Sequence, residues 1–244
     1  MKYTTLPHTN IKVSKICLGT MNWGNQNTQD EGFEQMDYAL DQGINFFDTA
    51  ELYPVPATAE KYADTERIIG NWFNKSGKRD KVVLATKIAG PGDYTAHIRT
   101  NGFSPEAIND AVNKSLERLQ TDYLDLYQLH WPERHTNTFG VRDYKHDSGE
   151  QWQDNFNEIL HTLDGLIKAG KIRQIGISNE KAWGTMRYLE ESKNHNLPRM
   201  VTIQNAYSLL NRGFEGDMAE IAIRENIGLL AYSPMAFGMA CKHG

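Results

Sequence analysis

The strongest constraint on this chain is a pattern it repeats six times: a short apolar run that stops on a polar side chain. INFFDTAELY (44–53) runs from Ile44 through Phe46 and Phe47 to Asp48, with Tyr53 five residues further on. VVLATK ends in Lys87, YLDLYQLH in His130, IRQIGISN in Asn179, MVTIQ in Gln204 and IGLLAYS in Ser233. Short apolar runs bounded by Gly and polar residues read as buried strands. A carboxylate where such a strand runs out is costly unless it is paired or in use. Parallel strands that all present polar groups at their C-terminal ends are how a (β/α) barrel builds a site.

Helical periodicity fills the gaps between these runs. Thr28 and Glu31 form a capping box ahead of Phe33, Met36 and Leu40. Asp64 is the expected N-cap of a helix carrying Ile68, Ile69, Trp72 and Phe73. Ser104-Pro105 opens another, with Ile108, Ala111 and Val112 on one face. Later helices carry Phe156, Leu160 and Leu163, then Trp183, Met186 and Leu189, then Met218 and Ile221. Trp72, Trp183 and Met186 are read as core packing. Residues 2–18 read as two short strands around a turn at 6–10, and SKICLGTM as the first buried strand, with Cys17 an inert core thiol. Strand–helix alternation with helix-length crossovers demands a mostly parallel sheet. An open doubly wound sheet is the competing architecture, but its G-x-G-x-x-G signature is absent from the first loop, GTMNWG. No linker or low-complexity segment divides residues 1–244, so a single domain is expected.

Composition narrows the function classes. Net charge is -5 with both signs mixed, which supplies no electrostatic reason for a nucleic-acid or anionic-membrane partner. Cys17 and Cys241 sit near opposite ends and form neither a disulfide framework nor a metal knuckle. No apolar run approaches the ~20 residues that span a bilayer. MKYTTLPHTN has no signal-peptide core. The expectation is a cytoplasmic protein, with its oligomeric state open.

The strand ends carry the chemistry. Asp48, Tyr53, Lys87 and His130 come from three consecutive strand–loop units, so a barrel gathers them at one mouth. A phenol has an ordinary pKa of about 10. A nearby Lys ammonium lowers it, and Asp48 can hold that Lys. His130 can hydrogen-bond a carbonyl oxygen. The set suits delivering a proton to an oxygen that develops negative charge. Acyl transfer is disfavoured, because no Ser or Cys occupies a nucleophile elbow. No metal is expected: His130 has no partner at ligand spacing, and His135, Asp143, His146 and Asp147 read as a solvated loop. Each residue alone has a plain structural reading, as a cap, a surface aromatic or a solvated charge. The four in order at strand ends do not.

DTAELY, the Lys of ATK, LHWP, GISN, the Gln of TIQN and AYSP together resemble, in order and spacing, the motifs of the aldo-keto reductases. LQTDYLDLYQLHWP, MRYL and TIQNAYSLLNR are most similar to the bacterial Tas-type, NADP(H)-dependent branch. The resemblance covers nearly the whole chain. It implies an α/β fold, a (β/α)8 TIM barrel, here with about seven β/α units and an N-terminal β-hairpin. It implies NADPH-dependent reduction of a small-molecule aldehyde or ketone carbonyl by hydride transfer, with Tyr53 as proton donor. Asp48 and Lys87 would tune Tyr53, and His130 would orient the carbonyl. Gly19, Thr20, Met21 and Asp48 would border the cofactor. Ser178, Asn179 and Gln204 would hold the nicotinamide carboxamide, and Tyr232 would stack on the ring. Ser233, Pro234, Met235, Phe237 and Gly238 would line the pyrophosphate path. Met21, Trp23, Tyr53, His130 and Trp131 would shape the substrate pocket.

The family's chains continue past the point reached here, so an eighth strand and the 2′-phosphate pocket are expected to be missing. That leaves sheet edges unpaired and predicts weak NADP(H) binding. The alternatives are a nucleotide-binding regulatory protein on the same fold and an inactive truncated reductase. Substrate and the choice of NADPH or NADH stay open.

Overall fold

A hairpin of β1 (Tyr3–Thr5) and β2 (Lys12–Ser14) precedes a seven-stranded sheet in the computed structural model, which describes residues 1–240. The sheet strands are β3 (Cys17–Gly19), β4 (Phe46–Asp48), β5 (Val83–Ile88), β6 (Leu124–Leu129), β7 (Ile172–Ser178), β8 (Met200–Ala206) and β9 (Gly228–Tyr232). They are all parallel and neighbour one another in chain order. One helix follows each of the first six: α1 (Gln29–Asp41), α2 (Asp64–Ser76), α3 (Pro105–Leu119), α4 (Phe156–Lys168), α5 (Ala182–His195) and α6 (Met218–Arg224). This is the strand–helix repeat of a (β/α)8 barrel, with the expected hairpin in front.

Strand residues alternate between two faces. Phe47, Leu84, Tyr127, Ile175 and Ile203 pack outward into one large core with Trp72, Ile108, Leu160 and Leu189 of the helices. Phe46, Ala85 and Leu126 point the other way, as does Val201 where the β7–β8 register shifts, and they pack with Leu6 and Val13 from the hairpin. The hairpin is pinned there by Asn45, whose side chain accepts from the Ser14 amide at 2.7 Å and donates to the Lys12 carbonyl at 3.0 Å. Register then decides what meets on the inner face. Gly19 lies beside Asp48, and Asp48 beside Ala85. Lys87 lies beside Gln128, and Ser178 beside Gln204.

The helix starts follow local chemistry. Thr28 and Glu31 make the reciprocal capping box, and the Ser104 hydroxyl accepts from the Ala107 amide at 3.2 Å. Asp64 is not the N-cap of α2. Ala63 holds that place at φ 63°, and Asp64 is the first helical residue, paired with Arg67 at 2.7 Å. A carboxylate in the first turn still benefits from the helix dipole.

Two core assignments are corrected. Cys17 is an exposed free thiol, because β3 has a strand neighbour on one side only among the described residues. The other cysteine, Cys241, lies outside the described residues. Trp183 and Met186 are exposed as well, since α5 turns Tyr188 and Leu189 to the core and carries these two on another face. Trp72 is buried as expected. Among the described residues, no helix is long and apolar enough to cross a membrane.

Helices α2 and α3 approach closely at Gly70, where an added Cβ would lie 2.1 Å from the backbone oxygen of Arg118. Overpacking typically costs about 1–3 kcal/mol, and a backbone obstruction belongs at the upper end. Helix propensity returns about 1 kcal/mol. Gly70→Ala is therefore expected to lower the thermal midpoint by roughly 4–8 °C in a chain of this size. Scanning calorimetry giving an unchanged midpoint would show that the helices move apart freely.

Candidate active site

The site is built on Lys87, a fully buried ammonium near the end of β5. An ammonium has three donors, and all three are engaged. Its Nζ lies 2.6 Å from Asp48 Oδ2, 2.8 Å from the Thr49 carbonyl oxygen and 3.4 Å from the Tyr53 hydroxyl. The other carboxylate oxygen of Asp48 accepts from the side-chain amides of Gln128 at 3.1 Å and Gln204 at 2.8 Å. The Tyr53 ring meets His130 edge-on, with centroids 5.7 Å apart. The four residues singled out from the strand ends thus lie together around one buried point.

Burial and charge fix the protonation states. Burial pushes the Tyr53 phenol above its ordinary value, and the opposing pull of Lys87 does not overcome it. This differs from the expectation that Lys87 would lower it. Burial is the larger effect, so the proton stays on the phenol at neutral pH. Burial, helped by the Lys87 charge, holds His130 well below 6.5, so its ring is neutral. Its Nδ1 is buried with no partner among the described residues. For Lys87, burial pulls down, but Asp48 and Tyr53 outweigh it and raise the ammonium above its usual value.

Around this centre runs a rim of neutral polar groups. The Ser178 hydroxyl donates to the Gln204 carbonyl at 2.8 Å. Asn179, at φ 55°, donates to the His130 carbonyl at 3.0 Å and accepts from the Tyr232 hydroxyl at 2.8 Å. One amide therefore ties the ends of β6, β7 and β9. The Thr20 hydroxyl donates to the Asp48 carbonyl at 2.9 Å. Gly19 leaves open space beside Asp48, with nothing within 4 Å of where a Cβ would sit. Ser233 to Gly238 form a tight turn, with Ser233 and Phe237 at positive φ and Pro234, Met235 and Phe237 exposed.

Met21 and Trp131 pack against the Tyr53 cluster, and Phe139 sets its ring edge-on to Trp131 at 5.6 Å. Trp23 is a correction. It is 1% exposed, its indole donates to Gln35, and it packs against Gly32 in the helical core rather than with the Tyr53 cluster.

Three contributors escape a reading of the sequence alone. Gln128 is two residues before His130, so strand alternation alone puts it on the same inner face. Glu51 and Arg99 form a buried ion pair beneath the Tyr53 turn. A carboxylate inside an otherwise apolar turn is the signal that points to Glu51, but its partner comes from a distant loop.

The rim fits a nicotinamide cofactor. Its groups are hydroxyl, amide and aromatic rather than charged, and Gln204 Oε1 accepts no hydrogen bond among the described residues. The space over Gly19 and the orphaned His130 nitrogen lie beside it.

Comparisons with known proteins agree with this geometry. The family model described as "Aldo/keto reductase family" matches residues 15–243. The chain is 47% identical over 249 residues to "Protein tas" of Escherichia coli, covering 98% of this chain and 69% of that protein. It is 37% identical to "Uncharacterized oxidoreductase YrpG" of Bacillus subtilis, covering 98% and 68%. It is 29% identical to "Norsolorinic acid reductase B" of Dothistroma septosporum, covering 98% and 57%. A match sustained over nearly the whole chain, on the expected fold, settles the matter: this chain belongs to the aldo/keto reductase family of oxidoreductases.

Proposed function

We propose that the protein reduces small aldehyde or ketone carbonyls to alcohols with NADPH, Tyr53 donating the proton. The observation that carries this reading is the buried Lys87 ammonium, within hydrogen-bond reach of both Asp48 and the Tyr53 hydroxyl. The bound cofactor would supply a hydride to the carbonyl carbon. The protein handles the charge and the proton at the oxygen. Tyr53 donates its proton as negative charge develops there. Lys87 stabilises the phenolate left behind, because an adjacent cation favours the charged form. Asp48, held by Gln128 and Gln204, keeps the ammonium in place. Neutral His130 hydrogen-bonds the carbonyl and fixes its approach.

Ser178, Asn179 and Gln204 would hold the carboxamide, Tyr232 would cover the ring, and Ser233 to Gly238 would border the pyrophosphate. Gly19, Thr20 and Met21 would border the other side. Met21, Trp131 and Phe139 offer an apolar wall, which favours substrates with an apolar body. NADPH over NADH and a cytoplasmic setting belong to the same proposal. The norsolorinic acid reductases among the relatives are named for a reduction, which supports the direction of the reaction.

Tyr53→Phe removes only the hydroxyl. General acid catalysis contributes about 10²–10⁴-fold, so steady-state turnover of NADPH with a panel of small aldehydes should fall by that factor. Cofactor affinity, read by protein fluorescence quenching, should change little. Wild-type turnover in this variant would remove Tyr53 from its assigned role.

The protonation states make two further predictions. The reduction rate should be flat through neutral pH and fall only on the alkaline side, as the raised Tyr53 phenol deprotonates. A kinetic limb near the ordinary histidine value would contradict a neutral His130. Folding should also respond to His130. Its folded pKa lies below the unfolded 6.5, so the unfolded chain binds more protons as pH drops below that value. Stability should therefore fall on acidification from about pH 7 to about pH 5, and fall less in His130→Asn. Urea titrations at both pH values read the difference.

A further inference from the structure

We propose that Glu51, acting through Arg99, is a positioning residue for Tyr53; the proposal rests on reading Tyr53 as the proton donor. Glu51 lies two residues before Tyr53, in the turn that leaves β4, and is 0% exposed. Its backbone amide donates to the Lys87 carbonyl at 3.2 Å. Its carboxylate accepts from the Ala89 amide at 2.6 Å. One residue therefore grips the end of β5 on both sides of Ile88. The same carboxylate is forked by Arg99, whose Nη2 lies at 2.8 Å and whose Nη1 bonds the other oxygen. The Tyr62 hydroxyl approaches at 3.4 Å, and Arg118 at 4.0 Å. The Tyr127 hydroxyl, buried and unpartnered among the described residues, takes an upward push in its pKa from burial first and then from the Glu51 charge.

A buried carboxylate is tolerated only when paired and hydrogen-bonded. Planar bidentate pairing with Arg also fixes direction, which a single hydrogen bond does not. Arg99 belongs to the loop between β5 and α3, so the pair locks that loop beneath the turn carrying Tyr53. The Tyr94 hydroxyl adds a second tie, accepting from the Ala57 amide at 2.7 Å. Tyr53 and Lys87 are 3.4 Å apart, and the Glu51 bonds connect their two backbones. Releasing the pair frees the phenol to drift from the ammonium, while Asp48, Lys87 and His130 keep their own contacts.

The test compares Glu51→Gln with the paired Glu51→Gln/Arg99→Met in the full chain. The single variant strands a buried cation and is expected to lose stability. The paired variant removes that cation and should melt closer to wild type. In the paired variant, hydrogen-exchange mass spectrometry should show at least tenfold faster exchange confined to residues 46–53 and 85–92, with the helices unchanged. Turnover of NADPH with small aldehydes should fall about 100-fold in kcat, the usual effect of a misplaced reacting group, with KM nearly constant. A uniform rise in exchange across the chain would make the pair a general stabiliser and overturn the proposal. So would native local exchange and native kcat in the paired variant. Wild-type protein that turns over no carbonyl would count against the reductase reading, and the exchange measurement would still decide the role of Glu51.

Discussion

Everything at the strand ends depends on one buried contact, the 2.6 Å pair of Lys87 and Asp48. Neither charge survives there alone. Removing one partner of such a pair commonly costs about 3–5 kcal/mol, because the other is left desolvated. The pair is held by more than attraction. Two carboxamides and a backbone carbonyl take up what the two charges leave over. Of the three bonds the ammonium makes, the one to Tyr53 is the longest at 3.4 Å. That asymmetry leaves the Tyr53 hydroxyl as the loosest of the three partners of the ammonium.

The inner face of the sheet explains how such a charge is tolerated. Period-two alternation stacks the polar residues directly above apolar ones: Asp48 over Phe46, Lys87 over Ala85, Gln128 over Leu126. The hairpin residues Leu6 and Val13 fill the lower layer. Water is thereby kept from one side of the charge pair, which strengthens its interactions. The same dry floor shifts the neighbouring groups. It keeps the proton on Tyr53 and keeps His130 neutral, so burial moves the two pKa values in opposite directions and leaves both groups uncharged.

A second buried ion pair lies outside the first. Glu51 and Arg99 connect the turn after β4 to the loop after β5. Charge pairs thus lie at two successive strand ends, one on the inner face of the sheet and one beneath the loops. Asn179 does comparable work on the other side with an uncharged side chain, joining three strand ends.

The fold was legible because its signal is local and repeated. Six apolar runs with polar ends, separated by helical periodicity, leave few architectures, and capping residues such as Thr28 and Ser104 marked helix starts directly. The proximity of Asp48, Tyr53, Lys87 and His130 was legible for the same reason: strand ends of a parallel sheet share a rim, so order along the chain predicts proximity. Burial of individual side chains was not. Trp23 and Trp183 look alike in sequence, yet one is sealed against α1 and α2 while the other lies exposed on α5, because the direction a ring takes is set by its neighbours in space. Partners of buried charges were equally hidden. Glu51 and Arg99 are 48 residues apart, and only the packed loops bring them together. The balance that keeps Tyr53 protonated also belongs to the tertiary structure, since it is a competition between desolvation and a cation from another strand, and neither exists until the sheet is assembled.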